Sequence, residues 1–304
     1  MRVIYFGTSE FAVPALKALA DSVVLVVSQP PRQSGRGMNV HSSPVHREAL
    51  RLGLPVEHPE KSRDPAFVDR LRALNSDALV VASYGQILSQ AMLDSAVRGG
   101  INLHGSILPK YRGAAPIQRA IQNGEIETGV TLMQMDRGMD TGDIISISNT
   151  QIGPDETYGE LLTRLSLVSA EMAVQWMPRI VAGDYPRASQ DSSKATMAPK
   201  VERAETELKF NEEAETAYRK FRAFTPLPGT FVQTSLGTLK LREARMSSET
   251  GSIGSVLSVT PELQVGFGNG SLILKTVQPE GKKAMSGRDW ANGARMKTGA
   301  SLIA

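Results

Sequence analysis

Three short, wholly apolar runs punctuate the first hundred residues of this 304-residue chain: Val3 to Phe6, Val23 to Val27 and Ala78 to Ala82. A fourth, Ile101-Asn102-Leu103-His104, interrupts the pattern with an amide and an imidazole. A strand that is apolar on both faces must be covered on both, which a parallel sheet with crossover helices achieves and a half-solvated antiparallel sheet does not. The intervening segments carry helix-start signals. Thr8 or Ser9 precedes a helix pattern from Glu10 to Leu19, and Ser43-Pro44 and Asp64-Pro65 each place a cap before a proline at the first helical position. After Gly129 two strand patterns, Val130 to Met135 and Ile144 to Ser148, flank a Gly-rich turn. Thr157 and Glu160 then form a capping box ahead of a core stripe of Leu161, Leu165, Val168, Met172 and Trp176. The expected fold is α/β: a doubly wound, mostly parallel, Rossmann-like sheet over residues 1–185. Such sheets bind ligands beyond the carboxyl ends of their strands. Gly7 ends the first strand, but no G-x-G-x-x-G follows, which argues against a dinucleotide enzyme.

From Tyr185 to about Arg203 periodicity is lost in favour of Ser, Ala, Pro and Lys, so residues 186–205 are expected to form a linker. Beyond it, one helix pattern (Ala214 to Phe224) precedes five short strands broken by glycine: 230–234, 238–244, 254–258, 263–266 and 271–277. Residues 206–304 are therefore expected to form a small β-barrel of the oligonucleotide-binding type. This part carries 13 Lys and Arg against 9 acids, whereas the whole chain has a formal net charge of only +3. A basic second part suits contact with an anionic partner. The acids after Lys200 (Glu202, Glu205, Glu207) suit such a surface poorly and are expected to be a solvated face.

The chain has no cysteine and four scattered histidines, which excludes disulfides and thiol nucleophiles and argues against a zinc enzyme. No stretch of about 18 uncharged apolar residues is present, so no transmembrane helix is expected. The first residues enter a strand pattern without a signal-peptide core, so the expected location is cytoplasmic.

The segment Ile101 to Gly113 concentrates the candidate chemistry. On a strand Asn102 and His104 project to one face, placing an amide and an imidazole side by side at the strand end. Downstream, Asp136-Arg137-Gly138-Met139-Asp140-Thr141-Gly142-Asp143 sets carboxylates on a tight turn, and spacing alone does not separate Asp140 from Asp143 as a partner for His104.

Asn102-x-His104, Ser106-Ile107-Leu108-Pro109-Lys110-Tyr111-Arg112-Gly113 and Met139-Asp140-Thr141-Gly142-Asp143 together resemble the 10-formyltetrahydrofolate-dependent formyltransferases. The resemblance extends through Phe6 to Ala12, Ser28-Gln29-Pro30, Gly35-Arg36-Gly37, Ser83 to Leu88, Ala114 to Gln118, Ala195 to Lys200, Arg222 to Phe224 and Gln278 to Ser286. It implies transfer of a formyl group from 10-formyltetrahydrofolate, without a metal, to the α-amino group of methionine on initiator tRNA. Direct attack through a tetrahedral intermediate is then stabilised by Asn102 and His104, with Asp140 orienting His104. It also implies folate contacts from Ser106, Ile107, Leu108 and Pro109 and from Tyr84, Gly85, Gln86, Ile87 and Leu88. The tRNA contacts it implies are Arg32 and Arg36 in the loop after Gln29, and Lys240, Arg242, Lys282 and Lys283 in the second part. That loop departs from the usual pattern, with Pro31 and Met38-Asn39 where charged residues are common. No membrane and no obligate protein partner is implied. Other readings are a formyltransferase acting on an amino-sugar nucleotide or purine precursor, and a nucleic-acid-binding or folate-sensing module without turnover.

Overall fold

The strands expected to be buried on both faces are so. Val3, Ile4, Tyr5 and Phe6 in β1 (Val3–Gly7) are each 0% exposed, and the computed structural model, which describes residues 1–34 and 39–303, surrounds β1 with parallel neighbours. In chain order follow β2 (Val23–Val27), β3 (Arg32–Ser34), β4 (Asn39–His41), β5 (Val56–Glu57), β6 (Ala78–Ala82), β7 (Gly100–His104), β8 (Arg112–Gly113), β9 (Glu127–Gln134), β10 (Ile144–Gln151) and β11 (Met197–Ala198). Seven of them form one sheet in the order β10-β9-β7-β6-β1-β2-β5. The five from β7 to β5 run parallel, and β9 and β10 add an antiparallel hairpin at the β7 side.

The helices begin where the sequence signals them. In α2 (Pro44–Arg51) the Ser43 hydroxyl accepts from the His46 N–H, and in α3 (Pro65–Ala73) the Asp64 carboxylate accepts from Ala66. Such caps contribute about 1 kcal/mol each. The expected helix from Glu10 is shorter. A 3-10 turn covers Glu10–Ala12, and α1 is Val13–Ala18, with Ser9 making no side-chain cap and Thr8 donating instead to the Tyr84 carbonyl. One sheet face packs Ile4, Phe6, Leu25, Val27, Leu79 and Val81 against Phe67 and Leu71 of α3 and Met92 of α4 (Gln90–Leu93). Each such side chain contributes about 1.5–3 kcal/mol by leaving water.

The chain divides into two compact units. The first comprises 1–116, 127–151 and 162–199, and the second 117–126, 152–161 and 200 onward. The stretch 186–199, expected as linker, thus lies within the first unit. It makes a bridge between Ala188 and Ile144, and β11 pairs with β8. Period-free sequence is what such short pairings, of one and two residues, look like. The long helix α6 (Tyr158–Ala182) follows α5 (Pro116–Gln122). Its buried face runs through Leu165, Ser169, Met172, Ala173, Met177 and Ile180, whereas Val168 and Trp176 are half-buried and Arg179 stacks over the Trp176 ring at 4.8 Å. No helix among the described residues is long and apolar enough to cross a membrane.

In the second unit, α7 (Ala214–Phe224) buries Ala217, Tyr218, Phe221 and Phe224. An antiparallel sheet contributes to the same core. Its strands are β12 (Thr230–Thr234), β13 (Gly237–Ser247), β14 (Val256–Ser258), β15 (Gln264–Phe267) and β16 (Gly270–Pro279), in the order β12-β13-β16-β15-β14. The five expected strands are therefore present. A short sixth, β17 (Met285–Ser286), pairs with β16 ahead of α8 (Gly287–Gly293). Among the described residues β12 and β14 do not pair with each other. Single bridges from Glu207 to Phe231 and from Ser255 to Ser301 lie at those edges instead.

Glu205, expected on a solvated face, is instead a structural acid. Its carboxylate accepts two hydrogen bonds from the buried Arg119 guanidinium, at 2.6 and 3.0 Å, and caps the Glu202 N–H. The Arg119 hydrogen bond holds the Glu205 carboxyl below its usual value of 4.5. A carboxyl lowered by folding stabilises the protein above its unfolded value and loses that contribution as pH falls through the folded one. Glu205→Gln should therefore cost about 1 kcal/mol at pH 7, a figure kept small because solvent reaches the pair. Denaturant titrations should show the gap from the wild type closing as pH drops below about 4.5; a gap that stays constant with pH would contradict this assignment.

Candidate active site

β7 lies between β6 and β9, with Asn102 opposite Val81 and Met133 and His104 opposite Thr131. Strand alternation turns Asn102 and His104 to one face, and they are 8% and 6% exposed. The β9–β10 hairpin returns to them at Asp140, one of the non-glycine residues with a left-handed backbone (φ 55). The Asp140 carboxylate accepts from Asn102 Nδ2 (3.2 Å, Oδ1) and from the Gly113 N–H (2.9 Å, Oδ2), and the same Oδ2 lies 3.6 Å from His104 Nδ1. A carboxylate only accepts, so the Asn102 amide nitrogen must face it. The second Asn102 N–H has no protein partner among the described residues.

The other His104 nitrogen, Nε2, is 2.8 Å from the Tyr111 carbonyl. A carbonyl has no proton to give, so Nε2 carries one and donates it. Nδ1 then remains as the basic nitrogen, beside a carboxylate but beyond hydrogen-bond distance. Tyr111 presents its carbonyl from a left-handed conformation of its own (φ 61), held by a 2.9 Å bond from its N–H to Thr196 Oγ1. Gly113 also has positive φ (119), and a Cβ there would stand 2.9 Å from the Ala198 carbonyl oxygen. Only glycine lets its N–H reach Asp140 so close to β11.

Asp143, the other carboxylate of the turn, faces away from His104, pairing with Arg187 (3.0 Å) and accepting from Ser189 (3.3 Å). Gln190 spans the turn. Its Nε2 donates to the Asp140 and Gly142 carbonyls (2.9 and 2.7 Å), and its Oε1 accepts from Arg112 Nε and Nη2 (3.1 and 2.7 Å). Sequence reasoning placed Arg112 in a motif but missed Gln190, which lies in a stretch with no period and no motif of its own.

Residues 1–181 match the sequence profile of the formyl transferase family, and residues 200–295 match that of the formyl transferase C-terminal domain. The chain belongs to the formyl transferase family. It is 40% identical over 301 residues to the methionyl-tRNA formyltransferase of Myxococcus xanthus, covering 98% of this chain and 96% of that one. It is 42% identical over 308 residues to the methionyl-tRNA formyltransferase of Hydrogenovibrio crunogenus, covering 99% and 98%. Among solved structures, an N-formyltransferase from Helicobacter canadensis, in complex with folinic acid and dTDP-3-aminofucose, shares the fold. Its TM-score is 0.68 at 18% identity, over 90% of this chain and 98% of that one.

Within this formyl transferase the loop from Ser83 leaves β6 beside the end of β7. Gly85 and Ile87 are exposed and Gln86 is half-buried, with its side-chain carbonyl accepting from the Ser62 N–H. Tyr84 and Leu88, expected beside a ligand, are 2% exposed and pack into the core, Tyr84 edge-to-face on Phe6 at 5.2 Å. What Tyr84 offers the loop is its carbonyl, which accepts from Thr8 and Gln29. Ser106 and Leu108 are likewise buried, tied by Thr131, whose hydroxyl donates to the Ser106 carbonyl and accepts from the Leu108 N–H; Ile107 and Pro109 are half-buried. In the second unit Lys240 stands opposite Gln278 in the β13–β16 pairing. Gln278 accepts from Arg242 (2.5 and 3.1 Å) and donates to the Lys282 carbonyl (2.9 Å), so one glutamine gathers Lys240, Arg242, Lys282 and the adjoining Lys283, all exposed. Arg32 lies on β3, paired with β4, and Arg36 lies outside the described residues.

Proposed function

We propose that this protein transfers the formyl group of 10-formyltetrahydrofolate to the α-amino group of methionine esterified to initiator tRNA. The observation that carries the reading is identity of 40–42% across almost the whole of both chains to two methionyl-tRNA formyltransferases. Supporting it, Asn102, His104 and Asp140 meet at one strand end in the first unit, and a basic patch lies in the second. We assign catalysis to the first unit and tRNA phosphate contact to the second, and place the reaction with translation, in the cytoplasm.

The donor set fits such a substrate. The free Asn102 N–H supplies a hydrogen bond to the formyl oxygen, where negative charge develops as the amine nitrogen bonds to the formyl carbon. The proton that the amine gives up goes to His104 Nδ1, and the Asp140 carboxylate 3.6 Å away stabilises the cation so formed. The bond from the formyl carbon to the folate nitrogen then breaks with its electron pair on nitrogen, which takes up the proton. Because the His104 Nε2–H is held by the Tyr111 carbonyl, the oxyanion contact falls to Asn102 rather than to both residues. The half-buried and exposed atoms of Gly85, Gln86, Ile87, Ile107 and Pro109 are those left to line a pteridine site.

The deciding experiment is transfer of a labelled formyl group from 10-formyltetrahydrofolate by the purified chain alone. It is offered charged initiator tRNA, free methionine and an amino-sugar nucleotide in parallel. Label on the tRNA only is expected; label on the sugar, or none, would overturn the reading. For the second unit, Lys240→Gln, Lys282→Gln and Lys283→Gln combined should weaken tRNA binding. The slope of log affinity against log salt should shrink by about 2–3, as for three lost phosphate contacts. An unchanged slope in a salt titration would remove the patch from the interface.

A further inference from the structure

We propose that Gln190 is a positioning residue for the proposed reaction, holding Asp140 against Asn102 and His104 with Arg112 as its anchor. The inference rests on the reading of that trio as the reacting site. A glutamine amide has one acceptor and two donor hydrogens, and here all three functions are used. Two guanidinium N–H groups converge on Oε1, and Nε2 spends its hydrogens on the carbonyls of Asp140 and Gly142. These carbonyls flank Thr141, so the bridge spans the part of the turn where Asp140 sits in its left-handed conformation.

Arg112 makes the arrangement unusual. It is 7% exposed, and among the described residues no carboxylate lies within ion-pair distance of its guanidinium; its side-chain partner is the neutral glutamine oxygen. A buried cation without a counter-ion is costly. Its effect here is to polarise the amide, which strengthens the donors aimed at the turn. The backbone of the next residue, Gly113, donates directly to Asp140 Oδ2. One two-residue strand thus controls Asp140 twice, through its carboxylate from Gly113 and through its backbone from Arg112 and Gln190. Displacement of a reacting group by about 1 Å can cost 100-fold in rate, so loss of this brace should be read in turnover.

Gln190→Ala is expected to lower kcat about 10–100-fold with KM for both substrates within about twofold of wild type. Gln190→Glu keeps the Arg112 contact but sets a carboxylate against two carbonyls, so it should lose as much; it also supplies a folded variant should the alanine one fail. The decisive measurement is a double-mutant cycle with Asp140→Asn. If Gln190 acts through Asp140, either Gln190 substitution on the Asp140→Asn background costs less than about twofold more. The same loss repeated on that background, a change confined to KM, or wild-type turnover from Gln190→Glu would overturn the proposal. Failure of the wild type to formylate any acceptor would instead sink the reading of the site, an outcome visible before the cycle begins.

Discussion

His104→Ala lowers kcat by about 10²–10⁴-fold, the range over which a positioned general base contributes, while the chain still folds, at a melting temperature lowered by the cavity and the unpaired Tyr111 carbonyl that alanine leaves. The expectation follows from the ring's two environments. Nε2 is fixed as a donor by the Tyr111 carbonyl, so the basic lone pair is on Nδ1, and the negative group nearest to it is the carboxylate that would stabilise the proton once taken. Alanine removes the acceptor without touching the Asn102 amide. Addition of imidazole to the reaction should therefore restore part of the lost rate, because the cavity left by the ring is the size of the rescuing base. Turnover within about fivefold of wild type would remove His104 from the chemistry.

Asn102→Ala lowers kcat by about 10²–10³-fold, the cost of one preorganised donor to a developing oxyanion, and imidazole does not rescue it. One amide hydrogen is spent on Asp140, and the other has no protein partner among the described residues. The same substitution therefore also frees one oxygen of the Asp140 carboxylate. Asn102→Asp separates the two effects. It keeps the size of the side chain but sets a second carboxylate at hydrogen-bond distance from Asp140, so its rate should fall at least as far as that of the alanine variant. Single-turnover rates with folate and charged tRNA both saturating check these values. Losses that vanish at saturation would mean that Asn102 binds substrate and does not stabilise the reaction.

The elements that were legible are those whose side-chain period is long enough to repeat. The apolar runs in β1, β2 and β6, the caps at Ser43 and Asp64, the α7 face and the five strands of the second sheet all appear where the pattern put them. The pair Asn102 and His104 was legible because two polar residues at alternate positions stand out in an apolar strand. The choice between Asp140 and Asp143 was not legible by spacing. It depends on which way a hairpin turn faces, and that is set by Arg187 and Ser189 taking Asp143. The burial of the Tyr84 and Leu88 side chains was hidden for a different reason: a motif records which residues occur together, not which of their side chains turn into the core. Gln190 was invisible because its role is carried by one amide in a segment without a period. Glu205 was read as solvated because its partner, Arg119, is 86 residues away.

The docking of residues 188–198 within the first unit also sets an order of events for a chain made from its amino end. A nascent chain that has reached residue 185 owns every strand of the seven-stranded sheet and both side chains on β7. It still lacks the amide at 190, the threonine that holds Tyr111, and the β11 strand that lies along Gly113. Such an intermediate holds the sheet but not the contacts that brace the turn at Asp140 and the Tyr111 backbone, which can form only once the following dozen or so residues have been made.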